Sequence, residues 1–360
     1  VAEIRIGIFT MRRRWMLYLD AEYSWDTVDY LRVKYPMSDN PDAIRVASNV
    51  VATEQLADAV RSLKPGEALY YEGELVAVRG VEQTRVEYTE HIVSIKMIYD
   101  IFLRNDTVLR SDFKIMCGWR ARRQPSPSVT VIGNPDDLFI DAEAGDVEGC
   151  IINVAKGPVY IGPWAEVMEG VCMRGPVAIC NSSVVNMGAK IYGATTIGPH
   201  CKVGGELNNV VMFSYSNKAH DGFLGNAVIG QWCNIGAGCV ASNLKNDYTE
   251  IKLWNYPARR FLKTGLQFCG LIMGDHSKAG VNTMLNTATM LGVGVNIHGS
   301  GFPRPFLASF SEGSTLGFTD VNMNKFFETA RIVMARRHVT LSDVDIDILR
   351  RVREIAENYR

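Results

Sequence analysis

The residues of this 360-residue chain best equipped for chemistry lie in one glycine-rich stretch, Asn217-Lys218-Ala219-His220-Asp221-Gly222-Phe223-Leu224-Gly225-Asn226-Ala227-Val228-Ile229-Gly230-Gln231-Trp232-Cys233-Asn234-Ile235-Gly236-Ala237-Gly238. An imidazole, whose ordinary pKa is about 6.5, can take the proton of an amine near neutral pH. Backbone N–H groups left open where glycines remove side chains can stabilise an oxyanion. These are the parts that acyl transfer from a thioester to an amine requires, with His220 as base and Gly236, Ala237 and Gly238 as donors. Lys218, Arg174 and Lys190 carry charge suited to phosphate, and the bland alternative for each is a solvated lysine or arginine. A single loop histidine is likewise commonly solvated, so the elements that hold His220 decide its meaning.

Other chemistries find less support. The eight cysteines form no Cys-x-x-Cys pair, and Cys233 and Cys239, six apart, read as equivalent packing positions. His200, His276 and His298 could join His220 around a metal, but without a close histidine pair no metal centre is expected. Arg12-Arg13-Arg14 and Arg120-Arg122-Arg123 read as solvated faces or contacts between domains. Lysine plus arginine total 38 against 39 acids, which removes a bulk electrostatic case for nucleic acid or anionic lipid as partner. No run reaches about 18 apolar residues and no charged-then-apolar leader opens the chain, so a soluble cytoplasmic protein without a membrane partner is expected. The opening Val1-Ala2-Glu3-Ile4-Arg5-Ile6 lacks an initiator methionine and already reads as structured, as a fragment would.

The positioning elements change character along the chain. Up to about residue 120, alternating stretches (Ile4 to Phe9, Ala68 to Arg79) interleave with helical patterns (Ala52 to Leu63, Ile92 to Leu103), a mixed α/β reading. The segment Arg122-Arg123-Gln124-Pro125-Ser126-Pro127-Ser128 disfavours helix and central strand and marks a seam. Beyond it Ile161, Val167, Met173, Ile179, Val185, Ile191, Ile197 and Val203 recur at unbroken intervals of six, with a second series at Met273, Ala279, Leu285, Leu291 and Ile297. Period six predicts hexapeptide β-helix repeats, short strands wound into coils that stack about 4.8 Å apart. Glycine follows the apolar residue at 162, 198, 204, 230, 236, 274 and 292, as a tight corner would allow.

Two breaks interrupt the phase. The separations from Val203 to Ile229 and from Ile235 to Met273 are each a whole number of repeats plus two, so chain is expected to leave the prism at both places, the first carrying Lys218 and His220. The repeats stop at Gly301-Phe302-Pro303-Arg304-Pro305. Helical faces follow: Phe326, Phe327, Ala330, Val333 and Met334, then Ile348, Leu349, Val352, Ile355, Ala356 and Tyr359. The expected division is 1–125 α/β, 126–305 β-helix and 306–360 a helical extension.

The stretch around His220 resembles the acetyltransferase domain of the bacterial bifunctional N-acetylglucosamine-1-phosphate uridylyltransferase and glucosamine-1-phosphate acetyltransferase, whose motif has the form N-H-L-[ST]-Y-x-G-D-x-x-I-G-x-x-x-N-I-G-A-G. The resemblance implies that His220 is the catalytic base and that Phe223 stands where a tyrosine contacts substrate. It further implies that Asn234 binds sugar, that Ala237 makes a backbone contact to acetyl-coenzyme A, and that Asn243 lies near the same cofactor. Departures are Phe223 without a hydroxyl, Leu244 in place of a tyrosine, and Asn208 where the family has a lysine.

Over nearly its whole length the chain is similar to two-domain sugar nucleotidyltransferases of the glucose-1-phosphate thymidylyltransferase-like kind. Val1 to Ile8, Gly188 to Pro199, Gly222 to Asn226 and Gly270 to Lys278 carry that likeness.

From these resemblances the expected fold is an incomplete α/β nucleotidyltransferase-like part followed by a left-handed parallel β-helix and C-terminal helices. The expected assembly is a homotrimer with sites at subunit contacts. The expected activity is acetyl transfer from acetyl-coenzyme A to an amino group of a sugar phosphate or nucleotide sugar, in nucleotide-sugar or cell-envelope biosynthesis. A working nucleotidyltransferase half normally shows a G-x-G-T-R loop, which is not found between residues 1 and 120, and Mg2+ enters only if that half is active. Two alternatives stay open: nucleotidyl transfer with the β-helix as scaffold, and a trimeric binding protein that has lost its chemistry.

Overall fold

In the computed structural model, which describes residues 1–360, the period-six residues point inward and stack on one another. Val159–Ile161, Val177–Ile179 and Thr195–Ile197 pair in parallel, placing Ile161 beneath Ile179 beneath Ile197 on one flat side of the coil. Glu166–Val167, Val184–Val185 and Lys202–Val203 do the same on the next side, and Ile151–Asn153, Cys172–Arg174 and Lys190–Tyr192 on another. We call the side of Cys172–Arg174 the first face, that of Val177–Ile179 the second and that of Val184–Val185 the third. The inward side chains form one cluster of 38 buried residues, so the interior is a single continuous core. Each fully buried Val, Ile, Leu or Met there contributes about 1.5–3 kcal/mol.

The glycines after the apolar residues are explained by the approach of the next coil and not by corner geometry. None of the seven has a positive φ. In six of the seven the left-handed residue comes two positions later, as at Trp164, His200, Trp232 and His276, with φ of 55°, 58°, 62° and 60°. A Cβ on Gly198 would lie 2.2 Å from the Phe213 carbonyl oxygen, and one on Gly204 2.3 Å from that of Ala219.

The first break in phase is a tightening, which corrects the expected extrusion. Ile179 pairs with Ile197, three repeats on, but Ile197 pairs with Met212 and Val203 with Lys218, each half a repeat sooner. Strand Glu206–Met212 runs through a corner without stopping, with Asn209 at φ 56°. The chain from Val203 to Ile229 therefore makes a run of shortened sides and no loop. The second break is a true insertion. Ala241 and Met273 occupy successive sides, and between them stands the antiparallel hairpin Lys252–Asn255 with Arg260–Lys263.

The N-terminal part builds a four-stranded sheet of Ile44–Val46, Glu74–Arg79, Glu67–Tyr71 and Thr84–Glu87, with helices α1 (Met11–Leu19) and α2 (Glu54–Arg61). The segment from Ile4 to Phe9 folds back at Gly7, φ 65°, into two-residue strands. The helix expected over Ile92 to Leu103 begins instead at Asp100, because its carboxylate accepts the Lys96 and Met97 N–H groups and holds the preceding residues in a turn. This helix, α3 (Asp100–Trp119), runs along the second face. Phe102 and Val108 pack with Val211, Val228 and Met290, and Leu109, Phe113 and Met116 with Phe139, Tyr160 and Ala178.

Arg14, expected on a solvated face or between domains, is 1% exposed. It pairs with Asp112 of α3 at 2.6 Å, and the same carboxylate oxygen accepts the Ile8 and Phe9 N–H groups. Burial pushes the Asp112 carboxyl up to about 6 despite the Arg14 charge beside it.

The proline-containing stretch leads straight into the stack, since Arg122–Arg123 pairs antiparallel with Ile140 and Asp141. At the other end the coils run on past Pro305. Phe306–Leu307 stacks on Met290–Leu291, and Ser311–Ser314 stacks on Asn296–Ile297 before Gly317–Asp320 turns back antiparallel. Helices α4 (Met323–Ala335) and α5 (Asp343–Ala356) bury Phe326, Phe327, Met334, Ile346 and Leu349 against Trp232 and Phe310. No helix is long and apolar enough to cross a membrane.

Gly198→Ala is expected to destabilise the fold by about 3 kcal/mol, as overpacking against a rigid backbone does. Gly118→Ala, in α3 with nothing within 4 Å of the added carbon, should stabilise by about 0.5–1 kcal/mol; denaturant unfolding of both variants tests the contrast. The folded-state value of Asp112 lies above the ordinary value of about 3.9, so the native chain holds this proton more tightly. Its contribution to stability is then complete below about pH 4 and lost as pH rises to about 6. A carboxyl-detected NMR titration should place its midpoint near the upper figure.

Candidate functional site

His220 is exposed at the corner where the third-face strand Asn217–Lys218 gives way to the first-face strand Phe223–Ile229. The main chain at this corner is held from below and above. The Asn186 amide donates to the Ala219 carbonyl at 2.7 Å, and the Gly238 N–H donates to the Asp221 carbonyl at 2.9 Å. Gly205 passes so close that a Cβ there would lie 2.8 Å from the His220 oxygen. The imidazole thus projects from a rigid corner of the prism and not from an extruded loop.

Lys218 does not reach outward to phosphate. Its register partner is the inward Val203, so the shortened coil places it in the column that aliphatic residues fill elsewhere, 1% exposed. The ammonium donates to the carbonyl oxygen of His220. Burial lowers its pKa, while the charges of Cys239 and Asp221 oppose that shift.

Two of the three expected oxyanion donors are also committed. Gly236 N–H donates to the Ala279 carbonyl and Gly238 N–H to that of Asp221, each at 2.9 Å, because stacked coils consume their own amides. The Ala237 N–H, one coil above His220, makes no hydrogen bond within the chain.

Phe223 and Asn243 are brought together on the first face. A Cβ on Gly225 would meet the Phe223 ring and the Asn243 amide nitrogen at 2.6 Å each, so glycine leaves room for both. Asn243 in turn donates to Asn226 Oδ1 at 2.7 Å, and Asn208 lies beside Gly225 in register. Asn234 is exposed on the third face, around the corner from Phe223. Arg174 is exposed on the first face, but three rungs below Phe223, roughly 14 Å at the usual strand spacing. Within one chain the structure therefore sets Ala237 over His220 and Phe223 beside Asn243, turns Lys218 inward beneath the His220 carbonyl, and places Asn234 and Arg174 on other surfaces.

Two of the other histidines, His200 and His276, have structural partners. His200 stacks on Tyr215 at 4.8 Å, Tyr215 on Trp232 at 4.1 Å, and Trp232 on His276 at 6.3 Å, a ladder along the corner between the second and third faces. Sequence reading missed this ladder, although every rung is the left-handed corner residue of its coil. Burial pulls His276 down to about 4. No group of three or more His, Cys, Asp and Glu side chains is placed to hold a metal ion.

The class that these features define is a short α/β part docked by one helix onto a β-solenoid of hexapeptide repeats, with C-terminal helices on a corner. Residues 1–120 match the family model described as Sugar nucleotidyl transferase. The bifunctional protein GlmU of Synechococcus elongatus is 24% identical over 249 residues, 68% of this chain and 42% of that protein. The bifunctional sugar-1-phosphate nucleotidylyltransferase/acetyltransferase of Sulfurisphaera tokodaii is 28% identical over 165 residues, 45% of this chain and 40% of that one. The chain thus spans about two fifths of the length of these curated relatives. Among solved structures, the UDP-N-acetylglucosamine acyltransferase of Francisella novicida aligns with a TM-score of 0.37 at 12% identity, covering 64% of this chain and 78% of that one. AntD, an N-acyltransferase from Bacillus cereus in complex with dTDP and 3-hydroxybutyryl-CoA, aligns with a TM-score of 0.22 at 12% identity, covering 56% and 90%.

Replacing a buried, singly hydrogen-bonded ammonium by an apolar side chain of similar length removes a desolvation penalty. Lys218→Met is accordingly expected to raise stability by about 1–2 kcal/mol, read as an increased midpoint in calorimetry.

Proposed function

We propose that this chain is a transferase whose solenoid moves an acyl group, acetyl in the leading case, from a coenzyme A thioester to an amino group of a sugar phosphate or nucleotide sugar. The observation that carries the reading is the corner itself, an exposed imidazole fixed by coils on either side, with the uncommitted Ala237 N–H one coil above. The relative named as a bifunctional sugar-1-phosphate nucleotidylyltransferase/acetyltransferase supports the same class of reaction.

In this reading His220 takes the proton of the substrate ammonium, and the freed nitrogen attacks the thioester carbonyl carbon. The carbonyl oxygen gains the negative charge, and in this reading the Ala237 N–H, free of any partner in the chain, donates to it. The nitrogen of the adduct sheds its second proton to solvent as collapse breaks the carbon–sulfur bond, and the departing thiolate takes the proton held on the imidazolium, leaving amide, free thiol and one released proton. Phe223 offers a ring face to the acceptor, and Asn243 lies toward the acyl donor. Lys218 holds the His220 carbonyl from inside and so acts as a positioning residue. Asn234 and Arg174 reach the same cleft only if a neighbouring copy presents them. A homotrimer would do this, and the exposed Ile151, Met187, Val240 and Val281 on and beside the first face support such a self-contact.

A second reading, nucleotidyl transfer with the solenoid as scaffold, rests on the match of residues 1–120; Mg2+ would there neutralise phosphoryl oxygens.

Thiol release from acetyl-coenzyme A in the presence of amino-sugar phosphates and amino nucleotide sugars tests the first reading. His220→Ala should lower the rate by about a hundredfold or more, and equal rates in mutant and parent would remove the base. Pyrophosphate-dependent turnover without thiol release would favour the second reading, and neither reaction, with ligand binding retained, would leave a binding protein.

A further inference from the structure

We propose that a second site, away from the His220 corner, binds a phosphorylated small molecule between the N-terminal segment and the solenoid. A cavity of about 450 Å³ opens where residues 5–13 cross the corner built by Pro163, Asn181 and Pro199, which belong to successive coils between the second and third faces. That volume lies within the range of small-ligand sites and exceeds what an isolated inorganic ion fills.

Its lining carries four arginines, Arg5, Arg12, Arg13 and Arg120, against one carboxylate, Glu143. Two of the four are spent elsewhere: Arg12 pairs with Glu3, and Arg120 with Asp141 and Glu143. The other two have no acidic partner. Arg5 donates only to the Ile8 carbonyl and toward Cys180 Sγ, and the Arg13 guanidinium makes no hydrogen bond or ion pair at all. A folded chain with balanced overall charge has thus gathered guanidinium groups without acidic partners at the mouth of one cavity, where they favour an anionic ligand.

An independent observation points the same way. Tyr160 is 3% exposed and lines this cavity, its ring stacked on Phe139 at 5.5 Å, yet its hydroxyl has no hydrogen-bond partner in the chain. Burial raises its pKa, so the group stays a neutral phenol and a donor. The ring is buried but the hydroxyl is not among the buried atoms that lack a partner, so it opens onto the cavity, and a phenol facing a wall of arginines is suited to an oxyanion ligand. The Asn181 side-chain amide, in the same wall, is likewise without a partner. Guanidinium forks, a phenol and an amide together match the three acceptor oxygens and double charge of a phosphate ester better than a single carboxylate. At the rim stands Trp164, held in the left-handed conformation at φ 55° and 62% exposed, whose indole face can cover a planar group attached to the phosphate.

Isothermal titration of the full chain at low ionic strength, with no acyl donor present, tests this separately from acyl transfer. The probes are pyrophosphate, glucose 1-phosphate, uridine diphosphate and uridine. At least one phosphorylated probe should bind while uridine does not, Arg13→Glu should weaken that binding at least tenfold, and Tyr160→Phe should weaken it severalfold. Arg13 is exposed and unpaired, and phenylalanine keeps the packing on Phe139, so both variants preserve the fold, which circular dichroism verifies. If Trp164→Ala weakens uridine diphosphate but not pyrophosphate, the ligand carries a planar base; if it weakens neither, the phosphate groups alone are recognised. Absence of binding by every phosphorylated probe, or affinities unchanged in both Arg13→Glu and Tyr160→Phe, would overturn the proposal.

Discussion

Everything in this molecule follows from how closely one coil lies on the next. At a spacing of about 4.8 Å the backbones touch, and side chains must go inward into a shared core, outward into solvent, or disappear. Gly198 and Gly204 are the positions where they disappear, because the carbonyls of Phe213 and Ala219 occupy the space a Cβ would need. The same contact consumes the amides of Gly236 and Gly238 and leaves that of Ala237. Rigidity at the His220 corner thus comes largely from stacking, to which the Asn186 amide and the Lys218 ammonium add one side-chain hydrogen bond each.

The period of six and the inward identity of residues such as Ile179 and Ile197 were legible because a repeat writes the same constraint many times. What could not be read was the length of each side. The separation from Val203 to Ile229 fits full-length sides with a protrusion as well as it fits a larger number of shortened sides. Only Leu207 and Met212, apolar at intervals of four and five after Val203, hint at the second solution. That ambiguity reversed the reading of Lys218, which an extruded loop would expose and a tightened coil turns inward. Charge on a side chain was a poor guide to its direction once the register had slipped. The grouping of Phe223 with Asn243 was legible only through resemblance, because it depends on Gly225 lying between coils.

The N-terminal part also owes its place to the stack. Flat parallel sides present a regular apolar surface, and α3 lies across the rungs with Phe102, Val108 and Leu109 facing it. Asp112 then gathers Arg14 and the Ile8 and Phe9 amides, which fixes the segment carrying Arg5 and Arg13 over the solenoid corner. An ion pair of this kind is sensitive to removal of either partner, typically by about 3–5 kcal/mol, so the arginine-lined cavity depends on a contact that none of its ligands would touch.

Coiled stacks of parallel strands have no intrinsic end, since each rung offers the next the same open row of N–H and C=O groups. Here the third-face row stops at Gly317–Asp320, which lies against Ser311–Ser314 in the opposite direction. A chain arriving from another molecule would meet a strand of reversed polarity, flanked by the helices that follow. This reversal guards against end-to-end growth into filaments, and it sets the height of the prism within a single polypeptide.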